Sequence, residues 1–323
     1  MPFRLGAALS RNRIADEFIL TCLQMFLDGS TPIVPKEPVT IGHEGCGEIV
    51  AMGPAVKGFS KGDKIGFVNA YHACWECDGC KRHYGQCERG NFVMQGWGMD
   101  GFMGEYILIE YRAALHLPEG LDASKAAPLF CAGITAYNAV RKPELAEGQW
   151  LAVVGCGGLG QMAVRYAKAS GLKVVAIDID DQSLSKAKQA GVEYTFNSRS
   201  TPDFVEELKK VTSGGADAVA VFTAVKAGYD IAPKVLKLGG KLVCVGCPPN
   251  DISLNALHIA LGMYVVLGAS NHATPQELRE CAEFTVKHGI ESPVQTFKID
   301  QVEEMIDIMH SGKMGGDRLV VQY

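Results

Sequence analysis

Two groups of residues in this 323-residue sequence have the types and spacing to do chemistry. Cys74-x-x-Cys77-x-x-Cys80, followed by Cys87, puts four thiols on one short stretch. Thiolates at that spacing close a tetrahedral zinc site. Four of them leave no open position for a substrate, so the expected metal is structural. The second group is the Gly-x-Gly-x-x-Gly loop Gly155-Cys156-Gly157-Gly158-Leu159-Gly160. Such a loop brings backbone N–H groups and the positive end of a helix dipole up to a pyrophosphate. Asp178 belongs with it. A carboxylate there accepts hydrogen bonds from a ribose hydroxyl and repels a 2′-phosphate, which points to NAD rather than NADP.

The loop needs a strand before it, a helix after it and a second strand carrying the acid. The apolar run 151–154 supplies the first strand. Leu159, Met162, Ala163, Tyr166 and Ala167 form one helix face ended by Gly171, and Lys173–Asp178 reads as the second strand. Further strand-like runs at 194–196, 218–222, 241–245 and 264–267 alternate with helical stretches, one of them with Phe204, Val205, Leu208 and Val211 on a single face. That alternation predicts an α/β, doubly wound parallel sheet with its ligand at the carboxyl ends of the strands. Upstream, short runs at 45–52, 64–68 and 105–109, separated by glycine turns, predict a compact β-rich domain that carries the cysteine lobe. The tail adds helical stretches at 276–288 and 302–310 and a strand at 319–322.

Composition narrows the function. A hydrophobic content of 47% with 21% charged residues is that of a globular protein. The net charge of −5 and the absence of a basic block argue against nucleic-acid binding. No apolar run reaches membrane-spanning length, so no membrane partner is expected. Eleven cysteines without a short secreted framework point to a reducing compartment, the cytoplasm. Arg4, Arg11 and Arg13 ahead of the first acid, Asp16, make a mitochondrial leader the weaker alternative.

With Gly42-His43-Glu44-Gly45, the segment Leu129-Phe130-Cys131-Ala132-Gly133-Ile134-Thr135-Ala136-Tyr137 and Gly239-Gly240-Lys241-Leu242-Val243 added to these motifs, the chain resembles the zinc-containing medium-chain alcohol dehydrogenase family. The resemblance implies a GroES-like catalytic domain over 1–130 with the zinc lobe at 74–87, and a Rossmann NAD-binding domain over 131–270. It also implies a segment 271–323 returning to the catalytic domain. It implies reversible conversion of an alcohol to its aldehyde or ketone, with a small-molecule substrate, and pairing of subunits through the Rossmann sheets into a homodimer or homotetramer. Residue by residue, His43 and Cys131 match ligands of a catalytic zinc, and Glu44 matches the acid beside it. A zinc with an open position polarises the substrate oxygen, and the cofactor takes the hydride. Val245 and Ser270 complete the expected cofactor contacts with Gly155, Gly157, Gly158, Leu159, Gly160 and Asp178.

The resemblance breaks at the N-terminus. Aligned on Asp28-Gly29, the chain has Ile19-Leu20-Thr21-Cys22 where the family carries its first catalytic ligand. Ile19 cannot ligate zinc, so Cys22, Glu44 or water is expected to complete the shell. The residues before Thr21 also read as lacking the strand that opens a GroES-like domain, which would leave a sheet edge exposed. Three readings follow: an NAD-dependent zinc alcohol dehydrogenase, a zinc-independent NAD(P)H reductase of the same superfamily, and a catalytically impaired NAD-binding protein.

Overall fold

The computed structural model describes the backbone of residues 7–16, and residues 38–90, 92–271, 273–311 and 314–323. The chain divides into two compact units. One takes the described residues up to Ile134 with those of Asn271–Lys313 and Arg318–Tyr323; the other takes Thr135–Ser270 and Met314–Asp317. The first unit holds strands β1 (Ala7–Asp16), β2 (Glu44–Met52), β3 (Lys64–Phe67), β4 (Ala70–Tyr71), β5 (Val93–Met94), β6 (Tyr106–Glu110) and β7 (Ala114–His116). The second holds β8 (Trp150–Val154), β9 (Lys173–Asp178), β10 (Tyr194–Asn197), β11 (Ala216–Val221), β12 (Leu236–Cys244) and β13 (Tyr264–Gly268). The first resumes with β14 (Val294–Lys298) and β15 (Arg318–Gln322).

The main sheet of the first unit runs β14-β15-β1-β2-β3-β7, with β6 also paired to β1. Its core is Ile49, Ile65, Phe67, Phe102, Ile107 and Ile109, with the Phe67 and Phe102 rings packed edge to face at 4.9 Å. Here the structure corrects the expectation of a missing first strand. Residues 7–16 form a ten-residue strand inside the sheet, and Ile14 lies between Cys46 of β2 and Gln322 of β15. A ladder is built from backbone N–H and C=O groups, so a stretch with little apolar alternation can still fill a gap between two strands. β2 is therefore not an exposed edge.

In the second unit all six strands are parallel, in the order β10-β9-β8-β11-β12-β13. From β8 the chain winds outward through β9 and β10, then returns to β11 on the other side, so the strand order reverses between β8 and β11. The interior of β8, Leu151 to Val154, is buried, as are Val174 to Ile177 of β9 and Ala218 to Val221 of β11. Near-continuous burial is what a sheet covered by helices on both faces requires. β12 starts at Leu236, earlier than its apolar run suggests. Ala216 pairs with Leu236 and Ala218 with Lys241, an irregularity that accommodates Gly239 and Gly240. The architecture is α/β, with a doubly wound Rossmann sheet in one unit and a β-rich GroES-like fold in the other.

Candidate active site and metal centres

The four-cysteine lobe is organised by a short helix, Asp78–Arg82, whose N-cap is Cys77. Its sulfur accepts from Cys80 N and from Glu88 N, both at 3.4 Å. Cys74 Sγ accepts from Cys77 N and Cys87 Sγ from Cys74 N, again at 3.4 Å. All four sulfurs lie within 4.8 Å of one another. The loop to Cys87 is short, and it closes because Gly79 has no side chain: a Cβ there would sit 1.9 Å from Gln86 O. Backbone N–H groups of Glu76 and Cys77 hold the Cys74 thiol below its ordinary value, while burial pushes Cys80 up to about 12. Four thiols packed this closely cannot all ionise unless a cation sits among them, which is the chemistry of a zinc held by four thiolates. Arg112 ties the lobe to the sheet, donating to Cys74 O and to Glu110 Oε1, both at 3.0 Å.

A second cluster in the same unit brings together His43, Glu44 and Cys131, with their donor atoms within 4.8 Å of one another. Glu44 opens β2 and His43 immediately precedes it. Cys131 follows a 3-10 turn, Ala127–Phe130, and that turn packs on β3 at Gly66, where a Cβ would lie 1.7 Å from the Phe130 ring. His43 Nε2 is 3.1 Å from Cys131 Sγ. Glu44 is 0% exposed; one oxygen accepts from Ala132 N at 3.1 Å and the other from Arg318 Nη2 at 2.8 Å. Burial first, and the Arg318 charge second, lower the His43 pKa to about 3. The imidazole is therefore neutral, with a lone pair for a metal. A neutral imidazole, a thiol and a buried carboxylate within reach of one point fit a borderline-soft divalent ion such as zinc. The stretch from Ile19 to Cys22 lies outside the described residues.

In the second unit the glycine loop joins β8 to the helix Gly158–Ala169, which Gly157 caps. Gly155 holds φ +91 and approaches Thr223, and a Cβ at Gly160 would lie 2.0 Å from Gly155 O. At Gly157 a Cβ would meet nothing within 4 Å, so the helix N-terminus opens onto free space. Asp178 ends β9 with its carboxylate anchored by Cys156 N (2.5 Å), Ile179 N (2.7 Å) and Asp180 N (3.0 Å). A cleft of about 180 Å³ opens beside it, lined by Gly155, Asp178, Ile179, Ser198, Thr223 and Val225 among others. Ile179 and Val225 are 51% and 58% exposed, apolar surface for a flat ring to cover. Val245 and Ser270 fall just past β12 and β13, at the same carboxyl edge of the sheet, without lining this cleft.

Sequence reasoning missed Arg318. It opens β15 as a charged residue before an apolar run, and nothing local marks it as buried at 4% exposure against an acid 274 positions away.

A model described as an alcohol dehydrogenase GroES-like domain matches residues 21–119, and one described as a zinc-binding dehydrogenase matches residues 158–287. The chain is 35% identical over 291 residues to an alcohol dehydrogenase of Geobacillus stearothermophilus, covering 89% of this chain and 84% of that one. Among solved structures, the alcohol dehydrogenase of the hyperthermophilic archaeon Aeropyrum pernix matches with a TM-score of 0.89 at 26% identity, covering 100% of this chain and 94% of its own. The acetophenone reductase of Geotrichum candidum, solved in complex with NAD, matches with a TM-score of 0.85 at 25% identity, over 100% and 92% of the two chains.

Proposed function

Because the chain belongs to the zinc-containing medium-chain alcohol dehydrogenase family, we propose that it interconverts an alcohol and its aldehyde or ketone with NAD(H), using a zinc held at His43 and Cys131 with Glu44 beside it. The observation that carries the reading is the buried set itself, with a neutral imidazole nitrogen 3.1 Å from a thiol. A zinc bound there would supply a Lewis acid that lowers the pKa of an alcohol, and a bound NAD would supply the hydride acceptor.

The chain's own residues prepare the site. Burial and Arg318 keep the proton off His43, so its nitrogen is available without competition from H⁺. Arg318 also neutralises Glu44, and Ala132 N fixes the second carboxylate oxygen, so the acid is held ready beside the thiol without an unbalanced buried charge. The N–H groups at the start of the helix Gly158–Ala169 take the cofactor's pyrophosphate, and the pinned Asp178 carboxylate takes the ribose hydroxyls and turns away a 2′-phosphate. Cys74, Cys77, Cys80 and Cys87 would hold the second, structural zinc.

We also propose a homodimer. Among the described residues β13 is the outer strand of its sheet, and Val265 on it, with Leu257, Ile259, Leu261 and Met263 just before it, are exposed. An apolar outer strand fits a second copy of itself. Among the described residues every cysteine is a free thiol, which suits the cytoplasm, and no helix is long and apolar enough to cross a membrane.

The test is NADH formation from a panel of primary, secondary and aromatic alcohols, before and after removal of zinc by a chelator. The proposal expects turnover that is lost with the metal and restored by it. Binding of NAD without turnover of any alcohol, or turnover indifferent to the chelator, would refute it.

A further inference from the structure

The Trp97 indole, 6% exposed, lies with its ring centroid 5.2 Å from that of the His43 imidazole, the planes inclined at 50°. Backbone contacts hold it there. Gly101 N donates to Thr40 O at 2.6 Å, Phe102 N to Gly42 O and Met103 N to Ile41 O, both at 2.9 Å. Asp100 Oδ1 accepts from Thr40 N at 2.8 Å. Three glycines allow the approach. A Cβ at Gly101 would lie 2.1 Å from Gly42 O, one at Gly96 would lie 2.8 Å from the same atom, and one at Gly42 would lie 2.9 Å from Met103 N. Gly42 and Gly96 also hold φ of +98 and +90, which any other residue would resist. The stretch from Gly96 to Gly101 and the stretch Gly42-His43-Glu44-Gly45 are therefore one interlocked piece of backbone.

Resting on the reading that His43 holds a catalytic zinc, we infer that Trp97 is a positioning residue whose indole fixes the rotation of the His43 ring, so that Nε2 faces Cys131 Sγ. The torsion that turns an imidazole about its bond to Cβ has broad wells, so the ring's aim is not set by its rotamer alone. A large rigid ring packed against it removes that freedom. Hydrogen-bonding partners that orient a ligating histidine are worth about 10- to 100-fold in metal affinity, and a ring that restricts its rotation by packing acts in the same direction.

The experiment follows zinc release to a chelator from the holoenzyme, with the four-cysteine metal as an internal control on the same molecule. Trp97→Ala is expected to lose the zinc at His43 about 10-fold more readily than the unmodified protein, the lower end of what hydrogen-bonding partners give, while the four-cysteine zinc leaves at the unmodified rate. Trp97→Phe, which keeps an aromatic face, stays nearer the parent. With Co(II) at the catalytic position, the visible absorption bands shift in Trp97→Ala, reporting a changed ligand geometry. If Trp97→Ala does not fold, Trp97→Leu, which keeps apolar bulk without a ring, carries the same comparison. Unchanged release and an unshifted Co(II) spectrum overturn the inference, and so does equal acceleration at both sites, which would mean general loosening. A parent protein that holds only the four-cysteine metal instead overturns the zinc reading of His43, and the inference with it.

Discussion

Replacing Arg318 by Met separates the buried pair at the heart of the first unit. The guanidinium is 4% exposed, Glu44 is 0% exposed, and Nη2 and Oε2 are 2.8 Å apart. Methionine keeps much of the side-chain length but removes the charge, so the lost term is electrostatic more than steric. What remains is a carboxylate in a dry site with Ala132 N on one oxygen and no counter-charge from Arg318. Removing one partner of a buried pair costs about 3–5 kcal/mol, mainly because the other charge stays behind. That is more than a hundredfold in the unfolding equilibrium, since each 1.4 kcal/mol is about tenfold. Adding Glu44→Gln takes away the stranded charge, so the double variant should regain at least about 1 kcal/mol, the coupling expected of groups in contact. The assay is urea unfolding of the parent, the two single variants and the double variant, with and without zinc. Hydrogen exchange of the β2 and β15 amides would locate the loss. A loss under about 1 kcal/mol, the value of an exposed ion pair, would refute the argument, as would a double variant no better than Arg318→Met alone.

Other outcomes follow from the same geometry. Because the folded His43 pKa is about 3 against an ordinary 6.5, the unfolded chain takes up this proton first as pH falls; in the metal-free protein the His43 contribution to stability is fully present above pH 6.5 and is lost at up to about 1.4 kcal/mol per unit as pH falls from there toward 3. His43→Gln should flatten that slope, and unfolding midpoints at several pH values would check it. Asp178→Gly removes the carboxylate pinned by Cys156 N and should raise the NADP-to-NAD ratio of kcat/KM by about tenfold or more, since a like charge against the 2′-phosphate is lost. Val265→Lys on β13 should convert the proposed homodimer to monomer in sedimentation velocity while leaving cofactor binding intact.

How much of this is legible in the sequence depends on distance along the chain. The glycine loop, its flanking strands and Asp178 occupy one continuous stretch whose hydrophobic periods and glycine positions dictate strand, turn and helix. The four cysteines are equally local, and their spacing alone assembles a metal set. The pairing of Glu44 with Arg318 spans 274 positions, and the contact of Trp97 with His43 depends on three glycines that let two backbones interlock. Neither has a periodic signature. β1 escapes a reading from sequence for a related reason: its ten residues carry little apolar alternation, and their place in the sheet is fixed by the backbone groups of β2, β6 and β15. The motif expected to hold a further zinc ligand, up to Cys22, lies outside the described residues.

The most direct test of the account is zinc per chain, by elemental analysis of protein purified without added metal. The account predicts close to two, one for each of the two donor clusters, with His43→Ala removing one of them. A value near one in the parent protein, unchanged by His43→Ala and abolished by Cys80→Ser, would contradict it.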